Sequence, residues 1–320
     1  MTVILLFMAA LGTPLSWHKT FLSDRNTWLS FLINVPICSV QVSMEKLPAV
    51  RNVLLQIALG KAHHFKTIEE WAGIINWAAI AYSVLRPFRF HVYEWLKSAK
   101  HRPYTQPGHA LKILASTMIT VLDGPARPYP TVYRRGKVWA ATDAAAYEAG
   151  HQRLPCVGGW WSVGPPDKSA VKWFSVSIPR HQKWAFKEGS SQRRVAAVEL
   201  MATVLLCKLM MQDGVVGRGN VATPLVTDNA GNSLGISKER FKKWPAADIL
   251  MGLALTCHFA DAHFTVSHIK RDQNEWADQL SKEVTGDFSP ALRCDWSWDD
   301  DSVWQLWPTL RDQGYASREL

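Results

Sequence analysis

The chain of 320 residues is 48% hydrophobic and 20% charged, a composition that excludes intrinsic disorder and allows one large domain or two ordinary ones. Five cysteines are scattered without a CxxC pair, which argues against a zinc site or a disulfide framework. The net charge is +9, and the excess of positive charge lies entirely within residues 1–285 because the remaining residues are net acidic. A basic body favours an anionic partner, nucleic acid first, although ordinary solubilising lysines and arginines give the same count.

The chain begins with an apolar stretch, residues 1–11, that lacks the basic start of a signal peptide. Trp17-His18-Lys19 stands where a small-residue cleavage site belongs. We therefore expect an intracellular protein, in cytoplasm or nucleus and not secreted, and interpret the start as the truncated beginning of a larger domain. No later run approaches the roughly 20 apolar residues of a membrane span, so we expect no membrane partner.

The first third of the chain is mostly helical in pattern. A short helix over 1–11 and strands near 15–19 and 27–35 are followed by a helical stretch over 44–100. Thr67 and Glu70 form a capping-box signature, and Arg86-Pro87 predicts a helix break. A helix over 109–121 lies within a proline-rich connector, and we predict a domain boundary near residue 125.

From residue 136 the pattern changes to three strands followed by alternating helices and strands. This order is typical of an α/β domain with a mixed sheet. The predicted strands cover 138–142, 157–162, 171–178, 223–227 and 264–269, and the helices cover 191–211, 245–260 and a stretch opening near Asn274.

Four acidic residues stand at unusual places in this pattern. Asp143 and Asp228 each follow an apolar strand, Glu199 lies on the apolar stripe of its helix, and Asp278 lies four residues after Asn274. Taken singly, the aspartates have plain explanations as turn caps or as partners of a helix dipole. A glutamate on a buried helix face is explained either by chance placement at the edge of the apolar stripe or by a cation, a metal or a paired acid. Converging carboxylates suit a pair of hard divalent ions, and hydrolysis of a phosphodiester is the reaction that such a pair serves best.

The four acids resemble, in order, those of the ribonuclease H domain of retroelement reverse transcriptases. The resemblance is carried by Ala141-Thr142-Asp143-Ala144, Ala197-Val198-Glu199-Leu200, Val226-Thr227-Asp228-Asn229 and the segment from His268 to Ser281. Its most specific part is Asn274-Glu275-Trp276-Ala277-Asp278-Gln279-Leu280-Ser281, which is similar to the end of the nuclease in long-terminal-repeat and tyrosine-recombinase (DIRS-like) elements.

The resemblance implies a ribonuclease H-like fold, a mixed five-stranded sheet flanked by helices, over residues 126–285. Residues 1–125 are then similar to the end of the palm, the thumb and the connection of a reverse transcriptase, carried by 14–20, 26–31 and 65–88. Residues 286–320 form an acidic, tryptophan-rich tail that either packs partly back or begins a further region.

The resemblance also implies a metal-dependent endonuclease that hydrolyses the RNA strand of an RNA–DNA hybrid. Two Mg²⁺ or Mn²⁺ ions would bind there, with Asp143 bridging both, Glu199 and Asp228 completing one site and Asp278 the other. A separate polymerase chain is a further partner to consider. The expected contacts to nucleic acid are Arg193, Arg194, Asn229, Lys238, Arg240, Lys242, Lys243 and Asn274, although the basic residues also suit a solvated face.

The sequence departs from the family pattern in three places. The distance from Asp143 to Glu199 suggests an insertion around 151–187, and no histidine has a confident role in product release because His268 belongs to a strand. The paired aspartates of polymerase catalysis are absent before residue 12, so the chain is expected not to polymerise. Two alternatives stay open: a catalytically inactive nucleic-acid-binding remnant with the same fold, and a DDE-type transposase or integrase.

Overall fold

The structure, a computed structural model, describes residues 25–34, 36, 39–124, 134–145, 154–179, 191–216 and 221–298. It opens with an antiparallel sheet of β1 (Arg25–Trp28), β2 (Phe31–Asn34) and β3 (Ser39–Val42). The strand predicted over 27–35 is in fact a hairpin, because Leu29 and Ser30 turn the chain with positive φ of 48° and 65°. The helix predicted over 1–11 and the strand over 15–19 lie outside the described residues.

A helical region follows, as predicted. It consists of α1 (Leu47–Leu59), α2 (Phe65–Ala78), α3 (Leu85–Ala99) and α4 (His109–Asp123), with a short pairing of β4 (His63–His64) and β5 (Tyr104–Thr105). The prediction of a capping box at Thr67 and Glu70 was wrong. α2 begins at Phe65, and His64 Nδ1 caps it by accepting from the Lys66 N–H at 3.3 Å. The break lies before Leu85, and Pro87 sits in the first turn of α3, where its missing N–H costs nothing.

A mixed sheet forms the centre of the rest of the chain. Its strands among the described residues are β6 (Arg134–Arg135), β7 (Val138–Ala145), β8 (Cys156–Val163), β9 (Lys172–Ser177), β10 (Val221–Thr227) and β11 (Phe264–His268). The order is β11-β10-β7-β8-β9, with β8 antiparallel to both neighbours and the other pairs parallel. β8 and β9, both strands of the sheet, lie within the insertion predicted over 151–187, which corrects most of that prediction.

Helices cover both faces of this sheet. They are α5 (Ser191–Gln212), α6 (Ala230–Ser237), α7 (Ala246–Ala260) and α8 (Glu275–Ser281). Side chains alternate along β8: the Trp160 ring packs 5.1 Å from Trp276 of α8, and the Trp161 indole donates to Asp213 just after α5. This strand order, with one antiparallel strand beside the first and helices on both faces, is the ribonuclease H-like fold. The predicted fold class is confirmed, including the helical region before it.

One segment of α5 has the composition of a membrane span. Val195–Gln212 has a mean hydropathy of 1.7 and is long and apolar enough to cross a membrane by length and composition. The expectation that no run approaches a membrane span was therefore wrong. Within this fold 78% of that segment is buried, as expected for the central helix of a core.

The helical region packs directly on the sheet region. His91 Nε2 of α3 lies 3.1 Å from Asp248 Oδ1 of α7, and Arg86 Nη1 lies 2.7 Å from Glu239 Oε2 after α6. Buried residues from both regions form one hydrophobic core. The residues around the predicted boundary, 125–133, lie outside the described part, so the domain limits of 1–125 and 126–285 stay predictions.

The first part of the predicted acidic tail packs back on the sheet. Trp173 of β9 donates its indole N–H to the Ser289 carbonyl at 2.8 Å. Its backbone carbonyl accepts from the Cys294 N–H at 2.7 Å. The Trp298 indole donates to the Ser177 carbonyl at 3.1 Å. These bonds cover the outer edge of β9, which would otherwise offer unpaired backbone groups to another chain. Residues 299–320 lie outside the described part.

Candidate metal centre

Strand register places Asp143 beside Asp228. The parallel pairing of β7 with β10 includes Thr142 opposite Thr227, and an aspartate follows each threonine. β10 ends at Thr227 while β7 continues to Ala145 beside β8, so Asp143 lies within its strand and not after its end as predicted. Since the carboxyl ends of parallel strands share one edge of a sheet, both carboxylates reach the edge where ligands bind in open α/β folds.

Glu199 of α5 completes a group of three carboxylates. One oxygen from each of Asp143, Glu199 and Asp228 lies within 4.8 Å of the others. Glu199 Oε2 and Asp228 Oδ1 are buried and have no hydrogen-bond partner among the described residues. Buried carboxylate oxygens without a donor are costly, and an all-carboxylate set is what hard divalent cations bind. The residues present therefore fit a divalent metal ion.

The electrostatics of this group favour a bound cation. Burial raises the pKa of Asp143 to about 6, and the charges of Asp228 and Asp278 add to the effect. Burial likewise raises the pKa of Glu199 to about 7, assisted by Asp143 and Asp228. Hydrogen bonds from Ser281 to Asp143 and from Asn229 to Glu199 oppose these shifts. The two hydrogen bonds offset the rise in pKa only in part. A divalent ion would neutralise the repulsion among the three carboxylates.

Asp278 lies beside this group but outside it. α8 begins at Glu275 directly after Asn274, as predicted, which places Asp278 in the first turn. Its Oδ2 lies 2.7 Å from Lys282 Nζ, and its Oδ1 lies 4.0 Å from Arg271 Nη2. Arg271 also places Nε 3.9 Å from Asp228 Oδ2. The guanidinium thus stands between two of the four acids, and a role for Asp278 in holding a second ion stays a prediction.

Three polar residues hold the acids in place, and the sequence did not indicate their roles. Ser281 Oγ donates to Asp143 Oδ2 at 2.8 Å, and Asn232 Nδ2 donates to the Ala196 carbonyl of α5 at 2.8 Å. Asn274 Nδ2 donates to the Thr142 carbonyl at 2.9 Å. Asn274 is only 2% exposed, and its contact with RNA stays a prediction. The one sequence signal that could have indicated these roles is a polar residue at a buried helical position, as at Ser281 and Asn232.

The other predicted contacts to nucleic acid lie at three places: after α6, at its start, and in the first turn of α5. Lys238, Arg240, Lys242 and Lys243 are exposed on the segment after α6. Asn229 is half-buried at the start of α6, where its Oδ1 accepts from the Asn232 N–H at 2.9 Å and its side chain bonds Glu199. Arg193 and Arg194 belong to the first turn of α5, and their side chains lie outside the described part. Their contacts with nucleic acid remain predictions.

Solved structures with detectable similarity include ribonucleases H. The RNase H1 of the archaeon Halobacterium salinarum is 17% identical over 48% of this chain and 99% of that chain, with a TM-score of 0.33. The compost-derived LC11-RNase H1 in complex with an RNA/DNA hybrid is 16% identical over 47% and 96%, with a TM-score of 0.33. The foamy viral protease-reverse transcriptase in complex with an RNA/DNA hybrid is 10% identical over 85% and 54%, with a TM-score of 0.33.

No protein-family model and no curated protein matches the sequence. Because these identities and TM-scores are low, the fold is assigned from the strand order of the sheet itself.

Proposed function

We propose that this chain is a metal-dependent endonuclease that hydrolyses the RNA strand of RNA–DNA hybrids. The observation that carries the proposal is the convergence of Asp143, Glu199 and Asp228 within 4.8 Å, at the sheet edge where β10 ends. The order of the four acids along the chain and the basic segment after α6 support a nucleic-acid substrate. We also propose a retroelement origin, supported by the segment from Asn274 to Ser281.

The three carboxylates would hold Mg²⁺ or Mn²⁺, with Asp278 and Asp143 contributing to a second ion. Such ions activate water and stabilise the leaving oxygen of a phosphodiester. The chain's own residues orient the carboxylates and favour their ionised form: Ser281 donates to Asp143, Asn229 bonds Glu199, and both bonds oppose the rise in pKa that burial causes. Asn274 fixes the start of α8 against β7, so that Asp278 faces the same edge.

The test is cleavage of a duplex carrying a labelled RNA strand. Purified protein should cut the RNA of an RNA–DNA hybrid with Mg²⁺ or Mn²⁺, and not after chelation, whereas RNA–RNA and DNA–DNA duplexes should stay intact. Asp143→Asn should abolish cleavage. Glu69→Gln, a change to an exposed acid of α2, should leave it unchanged. Wild-type protein that binds Mg²⁺ but leaves the hybrid intact would sink the proposal.

A second candidate is a catalytically inactive nucleic-acid-binding protein with the same fold. The position of Asp278 favours it, since Lys282 and Arg271 neutralise this acid and it lies outside the group of three. This candidate predicts hybrid affinity that is insensitive to Mg²⁺ and to substitution of all four acids, together with no cleavage. The DDE-type alternative predicts cleavage or joining of duplex DNA, which the DNA–DNA arm of the same assay measures.

A further inference from the structure

A concave pocket lies where the helical region meets the segment after α6. Its volume is about 290 Å³, and its wall combines Asn76 of α2 and Arg86, Arg89 and Tyr93 of α3 with Arg240 and Lys242. We call it the composite pocket because neither region forms it alone. It lies outside the acidic group.

Two of its guanidinium groups are held in place by the protein. Arg86 Nη1 lies 2.7 Å from Glu239 Oε2, and Arg86 Nε donates to the Ala79 carbonyl at 3.2 Å. Arg89 Nη1 donates to Asn76 Oδ1 at 2.6 Å, and Arg89 Nε donates to the Arg86 carbonyl at 3.2 Å. Because these bonds fix Arg86 and Arg89 before any ligand arrives, binding would cost little rotamer entropy at these two side chains.

Positive charge exceeds negative charge around the pocket. Arg86, Arg89, Arg240 and Lys242 face it together with a single lining acid, Glu94, while Glu239 pairs with Arg86 from outside the wall. Burial lowers the pKa of Arg89, and the charges of Arg86 and Arg240 lower it further, although Glu239 partly opposes them. Like charges that are held together and partly buried are unfavourable, and an anion in the pocket would relieve them.

We propose that the composite pocket binds a phosphate group, with Arg89, Arg240 and Lys242 as its donors. Guanidinium groups match phosphate oxygens in geometry as well as in charge, and a lysine adds a compact second cation. The group belongs to a nucleic-acid backbone or to a free nucleotide, and both sources carry the same chemistry.

The path of α6 relates the pocket to the acidic group. α6 starts at Ala230, two residues after Asp228, and ends at Ser237, so its eight residues span about 12 Å. The acids and the pocket therefore lie near opposite ends of α6, and a duplex that lies along this helix with one phosphate at the acids would bring another phosphate towards the pocket. This nucleic-acid form of the proposal rests on the proposed function, whereas the phosphate site does not.

The test compares two pairs of substitutions in the full chain. Arg240→Gln with Lys242→Gln removes two charges from the pocket, and Lys66→Gln with Lys100→Gln removes two exposed charges from the helical region outside its wall. Hybrid affinity is measured by fluorescence anisotropy in EDTA, so that binding is recorded without cleavage. Inorganic phosphate and adenosine monophosphate are titrated separately by calorimetry. Thermal melting verifies that each variant is folded.

For a backbone phosphate, the pocket pair should weaken hybrid binding about tenfold and reduce its salt slope by about 1, while the control pair should have a much smaller effect. For a free nucleotide, the pocket pair should leave hybrid binding unchanged and abolish the binding of phosphate and adenosine monophosphate that the wild type shows. Equal losses of hybrid binding in both pairs, or no loss in either assay, would overturn the proposal. Neither result depends on cleavage, so the nuclease proposal stands or fails separately.

Discussion

Ser281 Oγ donates a 2.8 Å hydrogen bond to Asp143 Oδ2 across 138 residues of sequence. Ser281 is fully buried at the end of α8, and Asp143 is 4% exposed within β7. The bond therefore links the first and last acidic elements of the site. It lowers the pKa of a carboxyl group that burial raises, so this serine keeps the carboxylate available to a metal at neutral pH.

Ser281→Ala should raise the pKa of Asp143 above about 6, because the hydrogen bond favours the ionised form. The cleavage rate should then reach its plateau at higher pH, and the protein should lose about 1 kcal/mol of stability. A pH–rate profile at saturating Mg²⁺ measures the first effect, and urea denaturation measures the second. Ser237→Ala, at an exposed position at the end of α6, is the control. An unchanged pH profile would show that the bond does not tune the site.

Stability without metal should fall as the pH rises. The folded-state pKa values are about 6 for Asp143 and about 7 for Glu199, above the ordinary 3.8 and 4.5. Between pH 4 and 7 the folded protein thus binds protons that the unfolded chain has lost, so stability decreases across this window. Relative to an Asp143→Asn/Glu199→Gln variant, the wild type should lose on the order of 6 kcal/mol by pH 8 in EDTA. Parallel urea-denaturation curves across this range would contradict the prediction, and saturating Mg²⁺ should reverse the trend.

Gly158→Ala should displace α8. A Cβ at this position of β8 would lie 2.5 Å from the Leu280 carbonyl carbon and still closer to the Ser281 nitrogen, both backbone atoms of α8. We expect a loss of about 1–3 kcal/mol and a drop in Mg²⁺-dependent cleavage, since α8 carries Asp278 and Ser281. The matched control is Gly73→Ala in α2, where nothing lies within 4 Å. That change should stabilise the protein by about 0.5–1 kcal/mol in the same denaturation assay.

The free energies lost on replacing His91 and Asp248 should not add, because the two side chains contact each other. Their side chains are 2% and 6% exposed, and Nε2 lies 3.1 Å from Oδ1 where α3 packs on α7. Asp248→Leu alone should cost about 1–3 kcal/mol, because it leaves a buried imidazole without this partner. Replacing both residues by leucine should cost less than the sum of the single changes. Denaturation of the four proteins in a double-mutant cycle measures the difference, and additive losses would contradict it.

Arg271→Ala should increase the affinity of the site for Mg²⁺. The guanidinium lies 3.9 Å from Asp228 and 4.0 Å from Asp278, so it competes with a cation for the same carboxylates. Because Arg271 is 79% exposed, we expect a change of about threefold at low ionic strength that shrinks as salt is added. Calorimetric titration of Mg²⁺ at two salt concentrations tests this. Arg271→Lys should stay near the wild type, whereas weaker Mg²⁺ binding in the alanine variant would refute the competition.

Local sequence patterns predicted the sheet and its helices because each element carries its own periodicity. β10, α5 and α7 appear within about two residues of their predicted limits, since apolar spacing and turn residues lie inside the element itself. The errors occurred where a tertiary neighbour decides the outcome. β7 continues past Asp143 because β8 pairs with it up to Ala145, and nothing within the strand records that partner.

The sequence by itself determined which acids to consider, because Glu199 on an apolar helix face and aspartates after apolar strands are anomalies visible in one dimension. Only the tertiary structure decided which of them meet. The register of β7 with β10 brings Asp143 to Asp228, and the position of α5 adds Glu199, whereas Asp278 stands apart beside Lys282. Ser281 and the composite pocket likewise depend on contacts between segments distant in the chain. A sequence encodes burial and periodicity locally, but the distance between side chains on distant segments is set only when those segments pack together.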